Sequence, residues 1–281
     1  MAPVQEGGQR IVGGGFTPVP GLPLVSVVTV VRNGAATLEK AIRSVADQDY
    51  PNLEYVIVDG GSDDGSVDII RRWAHRIAYW RSEPDGGIYN AWNKAVGFAG
   101  GDWIAFLGAD DEFTPGAIAA YVRRIGEPDG DALDFVSSRA ILVGASGQVL
   151  QVIGRPWSWP AFQRYMTVAH VGSMHHRRLF ERLGRYDETY RICGDYEFLL
   201  RAGPDLRAGF MNQVTVAMGA GGISGSGLTA LREQMRAKLE TGKRPALRAA
   251  WEYRVAIAKF FVRRFLSKLR QVLPVGRTWN S

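Results

Sequence analysis

Leu24 to Val31 reads Leu-Val-Ser-Val-Val-Thr-Val-Val, a nearly continuous β-branched run without apolar/polar alternation. Such a run describes a strand covered on both faces, and strands of that kind belong to parallel sheets shielded by crossover helices. The following sequence supplies the crossover. After Asn33-Gly34, the apolar residues Leu38, Ala41, Ile42, Val45 and Ala46 recur at helical spacing, Pro51 closes a short turn, and Leu53 to Val58 form the next apolar run. Ile69, Ile70 and Trp73 mark a second helix before a short strand near Ala78 to Trp80, Ile88, Trp92, Ala95 and Val96 mark a third, and Trp103 to Leu107 give another strand. Thr114 as N-cap and Pro115 at the first helical position predict a further helix to about Ile125. The alternation predicts an α/β fold with a mainly parallel central sheet flanked by helices.

Beyond residue 130 the pattern loosens, and Phe135 to Val143 with Val149 to Ile153 around Gly144 to Gly147 predict a hairpin. The 281 residues suffice for one large domain with an elaborated C-terminus. Residues 1–22, rich in glycine and proline, read as a flexible leader, 23–227 as the main α/β domain, and 228–281 as a helical, basic amphipathic tail. The leader lacks the basic start and continuous apolar segment of a secretory signal. No run reaches the roughly 18 uncharged apolar residues needed to span a bilayer. The single cysteine, Cys193, excludes an intramolecular disulfide and a Cys-based zinc cluster, so the expected compartment is the reducing cytoplasm.

Two strands run out into acidic, glycine-rich turns: Val-Ile-Val-Asp59-Gly-Gly-Ser-Asp-Asp-Gly-Ser66, and Gly108-Ala109-Asp110-Asp111. In open α/β sheets ligands bind outside the carboxyl ends of strands, which is where these carboxylates stand. A third segment, Ser82-Glu-Pro-Asp85-Gly-Gly-Ile-Tyr-Asn90, adds Asp85. The first strand is followed by Arg32-Asn33-Gly34-Ala35-Ala36, without the Gly-x-Gly-x-x-Gly of a dinucleotide site or the Gly-Lys-Ser/Thr of a phosphate-cradling loop. Dehydrogenase, P-loop and nucleotidyltransferase readings lose their support there. Asp63 and Asp64 read as turn formers and caps for the helix near Ser66; Asp59 reads as a ligand-facing carboxylate, with turn formation as the alternative.

Taken together these segments resemble family 2 glycosyltransferases of the GT-A fold. The motifs occur in the family's order: Ser26 to Asn33, Asp59 to Ser66, Glu83 to Lys94, Leu107 to Asp111, and Gly194-Asp195-Tyr196-Glu197, over roughly residues 23 to 225. Asp-Gly-Gly-Ser and Glu-Pro-Asp-Gly-Gly-Ile-Tyr look closest to the branch that builds polysaccharides and glycolipids, the colanic-acid and phenolic-glycolipid types. The resemblance implies an inverting, hexosyltransferase-like enzyme that takes a nucleotide-diphosphate sugar and a glycan or lipid-linked acceptor. It implies that Asp59 accepts a hydrogen bond from the base and that Asp85 lies on the donor floor. Thr29, Val31, Asn33, Ser62, Gly87, Asn93, Ala109 and Asp110 complete the implied donor set. Asp110, with Asp111, would hold Mg²⁺ or Mn²⁺ against the diphosphate, whose departing charge a hard cation stabilises. Asp195, before a predicted helix from Tyr196 to Arg201, would be the general base, with N-capping as its structural alternative. His170 would stand near the diphosphate or acceptor, and the stretch Gly219 to Gly227 where such enzymes close a loop over the donor. His175 and His176 read as ordinary packed or surface histidines.

The sequence departs from the family pattern at Gly108 and Gly194, which replace acids. That departure motivates the alternative of a catalytically silent sugar-nucleotide-binding or membrane-binding protein. The net charge of +6 concentrates late. From Ala246 to Leu273, Trp251, Val255, Ala258, Val262, Phe265, Leu266 and Leu269 repeat at helical spacing among Arg248, Arg254, Lys259, Arg263, Arg264, Lys268 and Arg270. This cationic amphipathic helix either lies on an anionic membrane, at the inner face of the cell membrane, or packs on the catalytic domain. No nucleic-acid module is present, so nucleic acid is not an expected partner.

Overall fold

A computed structural model describes residues 4–11, 15–221 and 227–272. After a short edge strand, β1 (Gln5–Gly7), the chain alternates through β2 (Val25–Val31), α1 (Leu38–Ala46), β3 (Leu53–Asp59), α2 (Ser66–Arg72), β4 (Tyr79–Ser82), α3 (Ile88–Phe98) and β5 (Trp103–Gly108). Side chains of a strand point alternately to opposite faces, and here that period sorts two cores. Val25, Val27, Val31, Tyr55, Ile57, Trp103, Ala105 and Leu107 face α1, through Leu38, Ala41, Ile42 and Val45. Val28, Val56, Val58, Ile104 and Phe106 face α3, through Tyr89, Ala91, Trp92 and Ala95. Burial on both faces is why these strands read as continuous apolar runs.

The chain continues through β6 (Asp111–Phe113), α4 (Ala117–Ile125), β7 (Phe135–Val143), β8 (Val149–Ile153), α5 (Trp159–Phe162), β9 (Ser173–His176), α6 (Arg177–Leu183), α7 (Gly194–Ala202), β10 (Ala208–Gly219), α8 (Gly227–Glu240) and α9 (Ala246–Val272). The strand order is β1-β4-β3-β2-β5-β9-β7-β10-β6, with β8 beside β7. The sheet is mixed: among the described residues six strands, β2, β3, β4, β5, β7 and β10, run in one direction, in line with the mainly parallel expectation, and four run against them. β4, β3, β2 and β5 pair in parallel, as do β7 and β10. β1, β6, β8 and β9 all pair antiparallel. None of these four is reached by a helical crossover of the βαβ kind, which is what a parallel neighbour requires. Because β9 runs against both β5 and β7, the carboxyl ends of β2, β3, β4, β5, β7 and β10 all emerge at one edge.

Two local expectations are corrected. Part of the supposed leader is strand: Gln5, Glu6 and Gly7 pair with Ser82, Arg81 and Trp80, and Gln9 and Arg10 donate to Ile77 O and Ala78 O at 2.9 and 3.0 Å. Gly7 is there for close approach, since an added Cβ would lie 2.7 Å from Trp80 Nε1. The helix expected from Thr114 begins at Ala117. Thr114 is taken by the sheet, donating through N to Thr215 O at 2.8 Å and through Oγ1 to Val214 O at 3.2 Å, and Gly116 at φ 70° turns the chain into α4.

The last two helices pack in series, α8 on α7 and α9 on α8. Thr241 Oγ1 donates to Glu197 of α7 at 2.8 Å, and the buried Lys238 of α8 bonds Glu252 of α9 at 3.2 Å. Along α9, Leu247, Trp251, Phe261, Val262, Phe265 and Leu266 are exposed. Among the described residues no helix is long and apolar enough to cross a membrane.

Candidate active site

Asp59 ends β3 with no exposed surface, and its carboxylate is filled by its own chain. Oδ2 accepts from Gly61 N and Ser62 N at 3.0 Å each and from Ser82 Oγ at 2.7 Å, while Oδ1 takes the Ser62 hydroxyl. Ser62 Oγ in turn accepts from Asn33 N at 2.8 Å, and Asn33, in the left-handed region at φ 55°, accepts through Oδ1 from Asp63 N at 3.0 Å. Asp64 bonds Ala35 N at 2.8 Å and Ser66 N at 3.0 Å, the turn-forming role read from sequence. The ends of β2, β3 and β4 are therefore one hydrogen-bonded unit. Asp85 leans over it: Oδ1 accepts from Gly87 N at 2.9 Å, and a Cβ added to Gly60 would lie 2.3 Å from Oδ2. A side chain at Gly60 and the present place of Asp85 exclude each other.

At the end of β5 the same economy of space recurs. A Cβ on Gly108 would lie 2.4 Å from Asp111 Oδ2 and 3.0 Å from Asp110 Oδ1, so both carboxylates fold back over the glycine. Asp111 is buried and accepts from Gly219 N at 3.2 Å; burial first, then the charge of Asp110, pushes its pKa up to about 7. Asp110 is exposed. Ala109 borders the β2 turn, 3.5 Å from the place a Gly34 Cβ would take. Among the described residues no three His, Cys, Asp or Glu side chains gather as a metal cage. One open carboxylate beside a second suits a hard cation that draws its remaining ligands from phosphate and water.

Asp195 lies in the first turn of α7, half-buried. Oδ1 accepts from Tyr196 N at 2.8 Å and lies 3.4 Å from the Tyr89 hydroxyl, which donates to Ile192 O at 2.7 Å. Burial pushes the Asp195 pKa up to about 6, against the pull of the Tyr196 N–H and the Tyr89 hydroxyl. Gly194 has a steric reason: a Cβ there would lie 2.7 Å from the Tyr89 ring. An acid at that position and Tyr89 in its present place are incompatible.

Thr29, Asn93 and His170, carried over from the family, each have partners within the fold. Thr29 is fully buried, its Oγ1 accepting from Tyr55 OH at 3.1 Å. Asn93 is buried and clasps α3 to the loop before α7: Oδ1 accepts from Tyr186 N at 2.9 Å, and Nδ2 donates to Tyr186 O at 3.0 Å and Glu188 Oε1 at 2.8 Å. His170 is buried, stacked on Trp92 with centroids 4.7 Å apart and Nε2 3.3 Å from Tyr186 OH. Burial drives its pKa well down, so it is a neutral ring in an aromatic core. The Val31 side chain is also core, while its carbonyl accepts from Gly60 N at 2.8 Å. Sequence reasoning missed Tyr89 and Glu188, which joins Asn90 to Asn93 at 2.9 and 2.8 Å; Tyr89 lies in the Ile-Tyr-Asn-Ala-Trp-Asn segment already singled out, whereas nothing in the sequence marked Glu188. Of the stretch Gly219 to Gly227 expected to close over the donor, residues 222–226 lie outside the described residues.

The chain is 33% identical over 186 residues to an uncharacterised glycosyltransferase of Mycobacterium tuberculosis, covering 64% of this chain and 69% of that one. It is 30% identical over 210 residues to a PGL/p-HBAD biosynthesis glycosyltransferase of Mycobacterium bovis, covering 72% and 79%. In fold it is similar to Staphylococcus aureus TarS residues 1–349, solved with UDP-GlcNAc, at a TM-score of 0.61 and 16% identity over 82% of this chain and 70% of that one. It is also similar to the mannosyltransferase PcManGT of Pyrobaculum calidifontis, solved with GDP-Man and Mn²⁺, at a TM-score of 0.57 and 22% identity over 86% and 75%. The likeness to both is one of fold, that of GT-A glycosyltransferases. The model of glycosyl transferase family 2 matches residues 26–176, more than half of the chain, so the protein belongs to that family and is a sugar-transferring enzyme of GT-A fold.

Proposed function

We propose that the enzyme inverts the anomeric centre of a sugar carried by a nucleoside diphosphate and passes it to a glycan or lipid-linked acceptor. The observation that carries the reading is Asp195. Its carboxylate has one oxygen tied to the first turn of α7 and a pKa of about 6, so at neutral pH it is ionised and still basic enough to take a proton. Asp195 Oδ2 removes the proton of the acceptor hydroxyl as that oxygen attacks the anomeric carbon from the face opposite the diphosphate. One displacement then inverts the centre.

The donor lies over the carboxyl ends of β2 to β5. Asp85, with one oxygen spent on Gly87 N, offers the other to the nucleoside, while Asp59 shapes the turn beneath it. Asp110, assisted by Asp111, would hold a divalent cation, which when bound would supply positive charge against the diphosphate. Donor-bound fold relatives with UDP-GlcNAc, or with GDP-Man and Mn²⁺, support this reading. Asp110 to Asn is expected to weaken metal-dependent binding of the preferred diphosphate about tenfold or more, by calorimetric titration of UDP, GDP and dTDP with and without Mn²⁺. No binding of any of the three by the wild type contradicts the donor site.

The exposed apolar residues of α9 stand among Arg248, Arg254 and Lys259. A cavity of about 400 Å³ at the start of the helix is lined by Arg164, Arg244, Leu247, Arg248, Trp251 and Glu252. Aromatic and cationic residues on one helix suit the interface of an anionic leaflet, which would bring the site to a lipid-linked acceptor at the inner face of the cell membrane. Sedimentation with anionic but not with neutral vesicles is the expected behaviour; equal sedimentation with both, or with neither, contradicts it.

A further inference from the structure

The turn that leads into α7 is held from outside by one side chain. Glu233 projects from α8, and its carboxylate accepts three successive backbone N–H groups: Arg191 N on Oε1 at 2.9 Å, and Ile192 N and Cys193 N on Oε2 at 2.8 and 2.9 Å. A carboxylate that collects consecutive amides fixes the local backbone, since each charge-assisted bond is stronger than a neutral one. The same short stretch is held from the other side by α3, because the Tyr89 hydroxyl donates to Ile192 O at 2.7 Å. Cys193 Sγ adds a contact to Ala230 O of α8 at 3.4 Å. Gly194 and Asp195 follow directly. Nothing in the donor cluster of Asp59, Asp85 and Asp110 touches Glu233.

We propose that Glu233 is a positioning residue for catalysis: it sets the backbone that aims the Asp195 carboxylate at the acceptor hydroxyl. The inference rests on Asp195 as the base. The groups that face Asp195 are Tyr89 from α3, Tyr186 and Cys193 from the segment before α7, the Tyr196 N–H, and Glu233 from α8. Of these, Glu233 is the anionic group, and its charge raises the proton affinity of Asp195. Burial is the main cause of that basicity; Glu233 orients the base and adds a smaller push in the same direction. A purely structural anchor only orients it.

The test uses Glu233→Gln and Glu233→Ala in the full chain, with kcat, donor KM and the pH dependence of kcat measured beside Asp195→Asn. Gln has a single acceptor oxygen that can keep the two amides of Ile192 and Cys193; Ala keeps none. Donor KM is expected to stay within about twofold in both variants, because the donor edge is untouched. The kcat is expected to fall a few-fold in Gln and about a hundredfold in Ala. The acid limb of kcat in Glu233→Gln is expected to move to lower pH, because removing a nearby negative charge lets Asp195 ionise more readily. A Glu233→Gln enzyme whose acid limb stays in place, or a Glu233→Ala enzyme whose kcat stays within twofold, overturns the proposal, as does equal loss of kcat and donor binding in both variants. Should Asp195→Asn keep full turnover, the base assignment itself fails; should that variant be inactive while Glu233→Ala is normal, only the role of Glu233 fails.

Discussion

At the donor edge, Asp59 is held by Gly61 and Ser62, two and three residues further on, and by Ser82 on the neighbouring strand. At the base turn, Asp195 is met by Tyr89, 106 positions back in the chain, and the residues before it by Glu233, about 40 positions ahead. The donor edge is assembled largely by strand ends and the turns they enter, and so forms wherever the parallel core forms. The base turn exists only once α3, α7 and α8 have docked. Long-range assembly makes the catalytic geometry sensitive to changes that leave the fold and the donor site intact.

Both regions place a glycine where a neighbour's functional group needs the space: Asp85 over Gly60, Asp111 and Asp110 over Gly108, Tyr89 over Gly194. Substituting these glycines should separate the two halves of the reaction. The largest effect is expected from Gly194→Asp, whose Cβ would lie 2.7 Å from the Tyr89 ring. Displacing the ring misplaces Asp195, so kcat is expected to fall at least about a hundredfold while the Kd for nucleoside diphosphate changes little. Steady-state kinetics with parallel calorimetry read this directly, and equal damage to both constants would break the comparison.

Next in size is the pH response. The proposed base Asp195 would act only when ionised, and its pKa is raised to about 6, so kcat should be level above about pH 7 and fall about tenfold per pH unit well below 6. A limb near the ordinary carboxylate value of about 4 would show that Asp195 is not the titrating group. The smallest effect is expected at Gly60→Ala, where the methyl meets the flexible Asp85 carboxylate, 2.3 Å from the added atom. Donor affinity should weaken about tenfold or less, with the acid limb of kcat unmoved. Movement of that limb would mean that the donor edge and the base turn are coupled.

The strands β2, β3 and β5 and the helices between them were legible because burial on both faces writes continuous apolar runs and crossover helices write a 3.6-residue period. The turn after Asp59 was legible for the same local reason: aspartate, glycine and serine there satisfy one another's backbone. What sequence could not give is long-range. β9 spans only Ser173–His176, too short to carry a period, yet inserting it antiparallel between β5 and β7 decides that the sheet is mixed. Gln5–Gly7 lie in a glycine-rich stretch that reads as leader, but Gly7 is what lets the strand close over Trp80.

The site shows the same division. Asn93 and His170 occupy family positions, and their types fit either ligand binding or packing; only the structure shows their neighbours, Tyr186 and Glu188 for one and Trp92 for the other. Gly108 and Gly194 read as lost acids in a linear sequence. In three dimensions the volume each vacates is filled by a group that belongs to the site.

The most direct test of the account is Asp195→Asn, read by two numbers on one sample: the Kd of the preferred nucleoside diphosphate with metal, and kcat with a defined acceptor. Separate construction of the two regions predicts a Kd within about twofold of wild type and a kcat lower by about 10² to 10⁴. Undiminished turnover, or loss of donor binding together with turnover, would contradict it.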